Sequence, residues 1–299
     1  MKPSPWKVCF ILTCGVLAVS TAAILIRLAL DAADLRGAGF SLVLAASRLT
    51  VAALMLLPAW GKIYRNRIPR SALGYAVAAG ACLTVHFASW ITSLSYTSIA
   101  ASTTIVTTNP VWIALFSWLW LGEKPSRQTS MGIAIALVGG AIVGLGSNNS
   151  SYAGSNPLLG NFLALVGSWT VSWYLLLGRE AQKRGMGIGG YSAIAYATAA
   201  LLLLPMPFLF NASYTGYSPE VYLYIVLMAA IPQLVGHTSF NWAISWISPT
   251  VVTLAILFEP VCASILGFLV FGEIPGISVL VGGVVVLVGV AIAAIGSRK

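Results

Sequence analysis

The stretch Asn109-Pro110-Val111, closed eleven residues on by Gly122-Glu123-Lys124-Pro125, returns 150 residues later as Glu259-Pro260-Val261, closed by Gly272-Glu273-Ile274-Pro275. The glycines that follow keep the same offset: Gly132, Gly139 and Gly146 match Gly282, Gly289 and Gly296. Upstream the register slips by a residue or two, as loops permit. His86 falls opposite His237, Gly39-Phe40-Ser41 opposite Gly190-Tyr191-Ser192, and Arg27 opposite Arg179. A repeat of this length is an architectural unit, and it divides the chain into residues 1–150 and 151–299.

What each unit is made of follows from composition. Apolar residues make up 59% of the 299 residues and charged residues 8%, where soluble chains carry roughly 45–50% and about 25%. So few charges cannot coat a water-facing surface. Hydrophobic windows fall near 7–30, 39–60, 71–93, 98–120, 128–146, 157–180, 189–210, 220–243, 249–271 and 276–297. Several are rich in Val, Ile and Thr, but a backbone in lipid must satisfy its own hydrogen bonds, so runs this long are helices. The expectation is an all-α polytopic membrane protein of ten transmembrane helices. Five spans per unit is odd, so the second unit enters the membrane inverted.

Orientation comes from the basic residues. Of 16 Lys and Arg, thirteen fall on the side of the N-terminus, among them Lys2, Lys62, Arg65, Arg67, Lys124, Arg127, Arg179 and Lys299. Arg36 alone falls on the other side, while Arg27 and Arg48 lie within spans. That bias puts both termini in the cytoplasm. The formal charge of +9 is thus a topology signal and not a nucleic-acid footprint. The first apolar run is long and lacks a small-residue cleavage site, so it reads as a mature span. Cys9, Cys14, Cys82 and Cys262 lie in apolar runs without metal-ligand spacing and read as packed free thiols.

These residues resemble the drug/metabolite transporter superfamily, and within it the ten-span EamA-type transporters. The resemblance rests on the two Gly-Glu-x-Pro turns, the Glu259-Pro260 pair, Arg48, and the glycine-spaced fifth and tenth spans, and it covers nearly the whole chain. It implies a transporter of the bacterial cytoplasmic membrane, with exporters of amino acids of broad, aromatic-tolerant specificity the nearest kind. The first half departs from the second in carrying Asn109 where the second has Glu259, which argues against a mechanism built on a symmetric carboxylate pair.

Polar side chains inside spans nominate the site. Gln233, His237 and Asn241 recur at helical spacing in the eighth span, and His86 and Trp90 in the third. Trp169 and Trp173 do so in the sixth, while Asn109 opens the repeated motif. The polar groups suit hydrogen bonds to an amino or carboxyl group, and the indoles suit stacking on apolar or cationic solutes. Each also has a packing reading: interhelical hydrogen bonds, or aromatic filling. Glu259 carries a proton coupled to transport, or supports a kink at Pro260. Pro110 and Pro260 are the expected hinges. Arg27 is expected to snorkel to the outer face, and the pairing of Arg48 stays open. Glu123 and Glu273, at span ends on opposite sides of the membrane, read first as helix ends that cap the next helix and otherwise as gates. The threonines 103, 104, 107 and 108 allow close helix approach or line a path.

No P-loop, dinucleotide fingerprint or metal-ligand set occurs in the sequence, and no span carries paired carboxylates. The expectation is therefore no cofactor, no metal and no catalytic residues. The partners are a small-molecule substrate and the bilayer, with monomer and homodimer both left open. The leading reading is a secondary carrier working by alternating access, exporting amino acids and related metabolites. Export of toxic organic cations or drugs is the alternative, and a channel or membrane-embedded enzyme are the readings from other classes. Anionic sugar phosphates would call for several cavity Lys or Arg.

Overall fold

The computed structural model describes residues 3–60, 69–122, 124–146, 155–247, 252, 255–256 and 258–296. Among them every regular element is helical. Seven helices are long and apolar enough to cross a membrane: Trp6–Ala33, Ala38–Met55, Arg70–Ser93, Ile99–Trp120, Pro157–Lys183, Ile188–Phe210 and Pro219–Ile244. Three shorter apolar helices, Arg127–Val143, Glu259–Phe271 and Ile277–Ala293, fall within the fifth, ninth and tenth expected spans. The protein is an integral membrane protein. Glu123 and the basic residues Lys2, Lys62, Arg65, Arg67, Arg298 and Lys299 lie outside the described residues.

In chain order the helices are α1 (Pro5–Ser20), α2 (Ala22–Ala33), α3 (Ala38–Met55), α4 (Arg70–Ser93), α5 (Ile99–Val106), α6 (Asn109–Leu121), α7 (Arg127–Gly146), α8 (Pro157–Lys183), α9 (Ile188–Leu203), α10 (Pro219–Met228), α11 (Thr238–Ile244), α12 (Glu259–Phe271) and α13 (Ile277–Gly296). A π-helical stretch, Ala229–His237, joins α10 to α11.

Local signals set the ends. The side chains of Ser4, Ser98 and Asn156 accept the backbone N–H groups of Lys7, Ala101 and Leu159, capping α1, α5 and α8. Gly122 and Gly272 end α6 and α12 at φ 70° and 65°, the left-handed conformation that glycine adopts without steric cost. The two repeated Gly-Glu-x-Pro turns are thus helix stops.

Pro110 and Pro260 occupy the first turn of α6 and α12, where the missing N–H leaves no bond unmade. The motif therefore starts half-helices and does not kink continuous ones. α5 ends at Val106, and the chain turns at Thr107 and Thr108 before α6 begins. The threonines repair this break: Thr103 and Thr107 hydroxyls donate to the Ile99 and Thr103 carbonyls at 2.7 and 2.8 Å, and Thr108 donates to Ile105 at 2.7 Å.

The strongest packing is α7 against α13 and α4 against α8, followed by α9 against α4 and α3 and by α1 against the π stretch. In the first pair Gly132, Gly139, Gly282 and Gly289 bring backbone against backbone, the close approach that drives association in lipid. In span terms, the third packs on the sixth and the eighth on the first, while the fifth and tenth pack on each other.

Two expectations are corrected here. Arg27 does not snorkel: it is buried, donates to the Thr97 carbonyl at 3.0 Å, and lies 3.9 Å from the Glu273 carboxylate. An internal acid outcompetes the bilayer surface for the guanidinium. Glu273 in turn caps no following helix. Its carboxylate accepts the Ile99 N–H at 2.8 Å, at the start of α5, 174 residues away. Burial pushes this carboxyl up, and Arg27 with the Ile99 and Ala100 N–H groups pulls it back. The four cysteines are free, but Cys9 is exposed and the others are half-buried, so none is a fully packed thiol.

Candidate functional site

Six spans converge on a buried cavity of about 50 Å³. α4 contributes His86 and Trp90, and the α5–α6 break contributes Thr107 and Asn109. The π stretch ends in His237, α11 adds Phe240 and Asn241, and α12 opens with Glu259. Val19, Val106, Val171, Leu175 and Ile256 complete the apolar part of the wall. The starts of both half-helices, at Asn109 and Glu259, therefore meet in one place. Each such start is the positive end of a helix dipole.

Hydrogen bonding around the cavity is uneven. The His86 imidazole is held to the Gly167 carbonyl at 2.9 Å and stacks on Trp90 with ring centroids 5.9 Å apart. The His86 and His237 rings lie 6.4 Å apart. Gly167 admits this contact because a Cβ there would sit 3.2 Å from Trp90. Asn241 donates to the Tyr174 hydroxyl at 2.7 Å, and Tyr191 donates to the Tyr174 carbonyl at 3.2 Å. By contrast, Asn109 Oδ1 and Trp90 Nε1 have no hydrogen-bond partner among the described residues. These are a buried amide oxygen and a buried indole N–H, left unpaired on two residues of the cavity wall, and each gains from a partner if the cavity widens to reach it.

Behind the wall sits Arg48, fully buried on α3. Its Nε donates to Gln233 Oε1 at 3.1 Å, and its guanidinium lies 4.4 Å from the Phe87 ring centroid. It interacts electrostatically with Glu259, His86 and His237. The pairing that the sequence leaves open is therefore internal.

Not every residue nominated by spacing reaches the cavity. His86, Trp90, Asn109, His237, Asn241 and Glu259 line it; Gln233, Trp169 and Trp173 do not. Gln233 is turned away because the segment is π-helical around Pro232. The wider i→i+5 turn breaks the face that α-helical spacing assumes. Trp169 packs edge-on against Trp112 at 5.3 Å, and Trp173 stacks on Phe116 at 4.9 Å. The two form an aromatic seam between α6 and α8. Sequence reasoning missed Pro232 and Tyr196, whose hydroxyl donates to the Gln233 carbonyl at 3.5 Å. A proline in mid-span was the signal for the first; the tyrosine carries no local pattern.

A transporter family accounts for this architecture. The EamA-like transporter family matches the chain twice, over residues 5–145 and 158–295. The chain belongs to the EamA-like transporter family. It is similar to an uncharacterized transporter of Clostridium kluyveri, 24% identical over 80% of this chain and 78% of that one. It is also similar to a probable terminal-alkyne amino-acid exporter of Streptantibioticus cattleyicolor, at 24% identity over 89% and 86% of the two chains. A crystal structure superposes over 99% of both chains with a TM-score of 0.66 at 18% identity, a likeness of fold alone. Relatives and family alike are transporters, not enzymes.

Proposed function

We propose that this EamA-family protein is a secondary carrier that exports amino acids, apolar and aromatic ones included, and related small organic solutes across the bacterial cytoplasmic membrane by alternating access. The observation that carries the reading is the buried cavity at the meeting of two half-helix starts. Two of its wall residues, Asn109 and Trp90, carry a buried acceptor, Oδ1, and a buried donor, Nε1, without a partner among the described residues. The wall also holds a carboxylate, Glu259, and aromatic surface from Trp90 and Phe240. An ammonium group suits Asn109 and Glu259, a carboxylate suits the indole N–H and the half-helix dipoles, and a side chain suits the rings.

Volume supports movement. At about 50 Å³ the cavity holds a few waters and falls far below the roughly 300–1,000 Å³ of a small-molecule site, too little for an amino acid. A carrier with this site must widen it toward one face and then the other. Ten spans in two inverted halves, with both termini cytoplasmic, provide the means. The double family match supports the division into residues 1–150 and 151–299. So does the packing, in which the contact of the third span on the sixth has its counterpart in the eighth on the first. In this scheme Pro110 and Pro260, at the starts of the half-helices, are the hinge points. Residues 86, 90, 109, 237, 241 and 259 contact substrate, with Gln233, Trp169 and Trp173 shaping the wall from behind.

One observation favours organic cations as the second reading. Glu259 is an acid facing aromatic residues, a setting that also suits a delocalised cation. The test is a flux screen of amino acids and organic cations in proteoliposomes, with and without a pH gradient. Saturable flux of amino acids, weakened by His237→Ala or Trp90→Ala, is expected. Flux that rises linearly at every concentration sinks the carrier, and cation-only flux moves the assignment to the second reading. Unchanged proton dependence in Glu259→Gln removes Glu259 as the coupling group.

A further inference from the structure

We propose that Arg27 and Glu273 form a latch that closes one end of the transport path and opens once in each cycle. The proposal rests on the carrier reading above and names the device that would gate it.

The contact joins three segments from the two sequence units. Arg27 comes from α2, and Thr97 and Ile99 come from the entrance to α5. Glu273 comes from the turn between α12 and α13. Arg27 donates to the Thr97 carbonyl at 3.0 Å and faces Glu273 Oε2 at 3.9 Å. Glu273 Oε1 takes the Ile99 N–H at 2.8 Å. The two side chains are 2% and 3% exposed, so the latch is sealed within protein. From Ile99 to the cavity residue Thr107 is eight helical residues, about 12 Å at the α-helical rise. The latch therefore stands one short half-helix from the cavity, tied to the N-terminus of that same half-helix. Whatever draws Glu273 away frees α5 at its far end.

A buried ion pair is weak support for stability, because desolvation of both charges roughly cancels their attraction. Apolar residues would staple these segments as well. A pair that is broken and remade is the better-attested use of such chemistry. The repeat adds a second strand of argument. At the equivalent positions of the other half stand Arg179 and Glu123, on the opposite membrane face in an inverted pair. In this structure the end at Arg27 is held closed by its contact with Glu273; by the distribution of basic residues it is the external end.

The test places a reporter, Thr107→Cys, in a background with Cys9, Cys14, Cys82 and Cys262 replaced by Ala. It follows labelling by a membrane-impermeant maleimide added to either face of sealed vesicles. Arg27→Met and Glu273→Gln are expected to raise the labelling rate from the latch face at least fivefold, with Arg27→Lys close to the parent. Folded Met and Gln variants that label at the parental rate overturn the proposal, even if their melting temperature falls, since that is the mark of a structural staple. If those variants do not fold, Glu273→Asp withdraws the carboxylate by one methylene and keeps its charge. Unchanged labelling in that variant overturns the proposal equally. Labelling from neither face, in parent and variants alike, removes the cavity and the latch together. Labelling that responds to the latch in a protein moving none of the solutes tested leaves the latch standing and overturns only the substrate assignment.

Discussion

Substituting one glycine on α7 separates backbone contact from every other source of stability in this fold. A Cβ built on Gly139 would lie 2.6 Å from the Val286 nitrogen and 2.8 Å from the Gly282 oxygen, both backbone atoms of α13. Neither can rotate aside. Ordinary contact begins near 3.4 Å, so Gly139→Ala forces the helices apart by about 0.8 Å, a gap at which each neighbouring contact forfeits roughly a quarter to a half of its attraction. Lipid tails are as apolar as the helices, so no hydrophobic term restores the loss. Overpacking of this kind costs about 1–3 kcal/mol, offset by about 0.5–1 kcal/mol for placing Ala instead of Gly in a helix. The net expectation is a destabilisation of about 1 kcal/mol, within about 0–2.5 kcal/mol. The neighbouring Gly140 is the control, because a Cβ there meets nothing within 4 Å; Gly140→Ala should be neutral or mildly stabilising. The assay is the melting temperature of the detergent-solubilised protein, read as loss of the monodisperse size-exclusion peak. A drop of a few degrees for Gly139→Ala and none for Gly140→Ala is expected. Adding Gly282→Ala to Gly139→Ala should cost less than the sum, since both strain one interface. Equal shifts for Gly139→Ala and Gly140→Ala refute the reasoning.

The other expectations concern the buried polar groups. Arg48→Met leaves Gln233 without its donor and Glu259 without its nearby cation. It should lower folded yield, and Glu259→Gln should recover part of that yield in the double variant; a double variant worse than either single one shows the groups to be independent. Tyr174→Phe removes the 2.7 Å bond from Asn241, at a cost near the roughly 0.6 kcal/mol average for interhelical bonds in membranes. Its melting temperature should therefore fall less than that of Gly139→Ala, and a larger fall contradicts the ranking. Glu180 pairs with Lys183 and Arg184, whose side chains are 51% and 35% exposed. Glu180→Gln should shift stability by less than about 1 kcal/mol, checked in the same melting assay with and without added salt.

Much of the fold was legible because lipid imposes simple demands. Backbone groups must pair within a helix, so apolar runs mark helices, and the described helices fall where the windows predicted them. The Gly-Glu-x-Pro stops were legible because glycine at a left-handed helix end is a local property, seen at Gly122 and Gly272. The local setting of the prolines was not legible: a proline within a long apolar run suggests a kink, whereas Pro110 and Pro260 stand in the first turn of α6 and α12. The candidate cavity was partly legible. His86, Trp90, Asn109, His237, Asn241 and Glu259 stood out as polar or indole groups in apolar runs, and they meet. Gln233 stood out in the same way, yet the π turn around Pro232 points it to Arg48. Trp169 and Trp173 keep helical spacing, but Trp112 and Phe116 claim their faces.

By itself, then, the sequence determined a polytopic helical membrane protein and marked where its helices stop, because both follow from composition and chain-local chemistry. Its 150-residue repeat also pointed to halves related by inversion. Only the tertiary structure decided which partners the buried charges take. Arg27 was free by its sequence to reach the bilayer surface, and Glu273 to cap the next helix; the fold instead brings them together over the start of α5. Arg48 likewise finds Gln233 from 185 residues away. A charge in a low-dielectric interior must find an opposite charge or a dipole, and which one lies in reach is set by packing between segments distant in the chain.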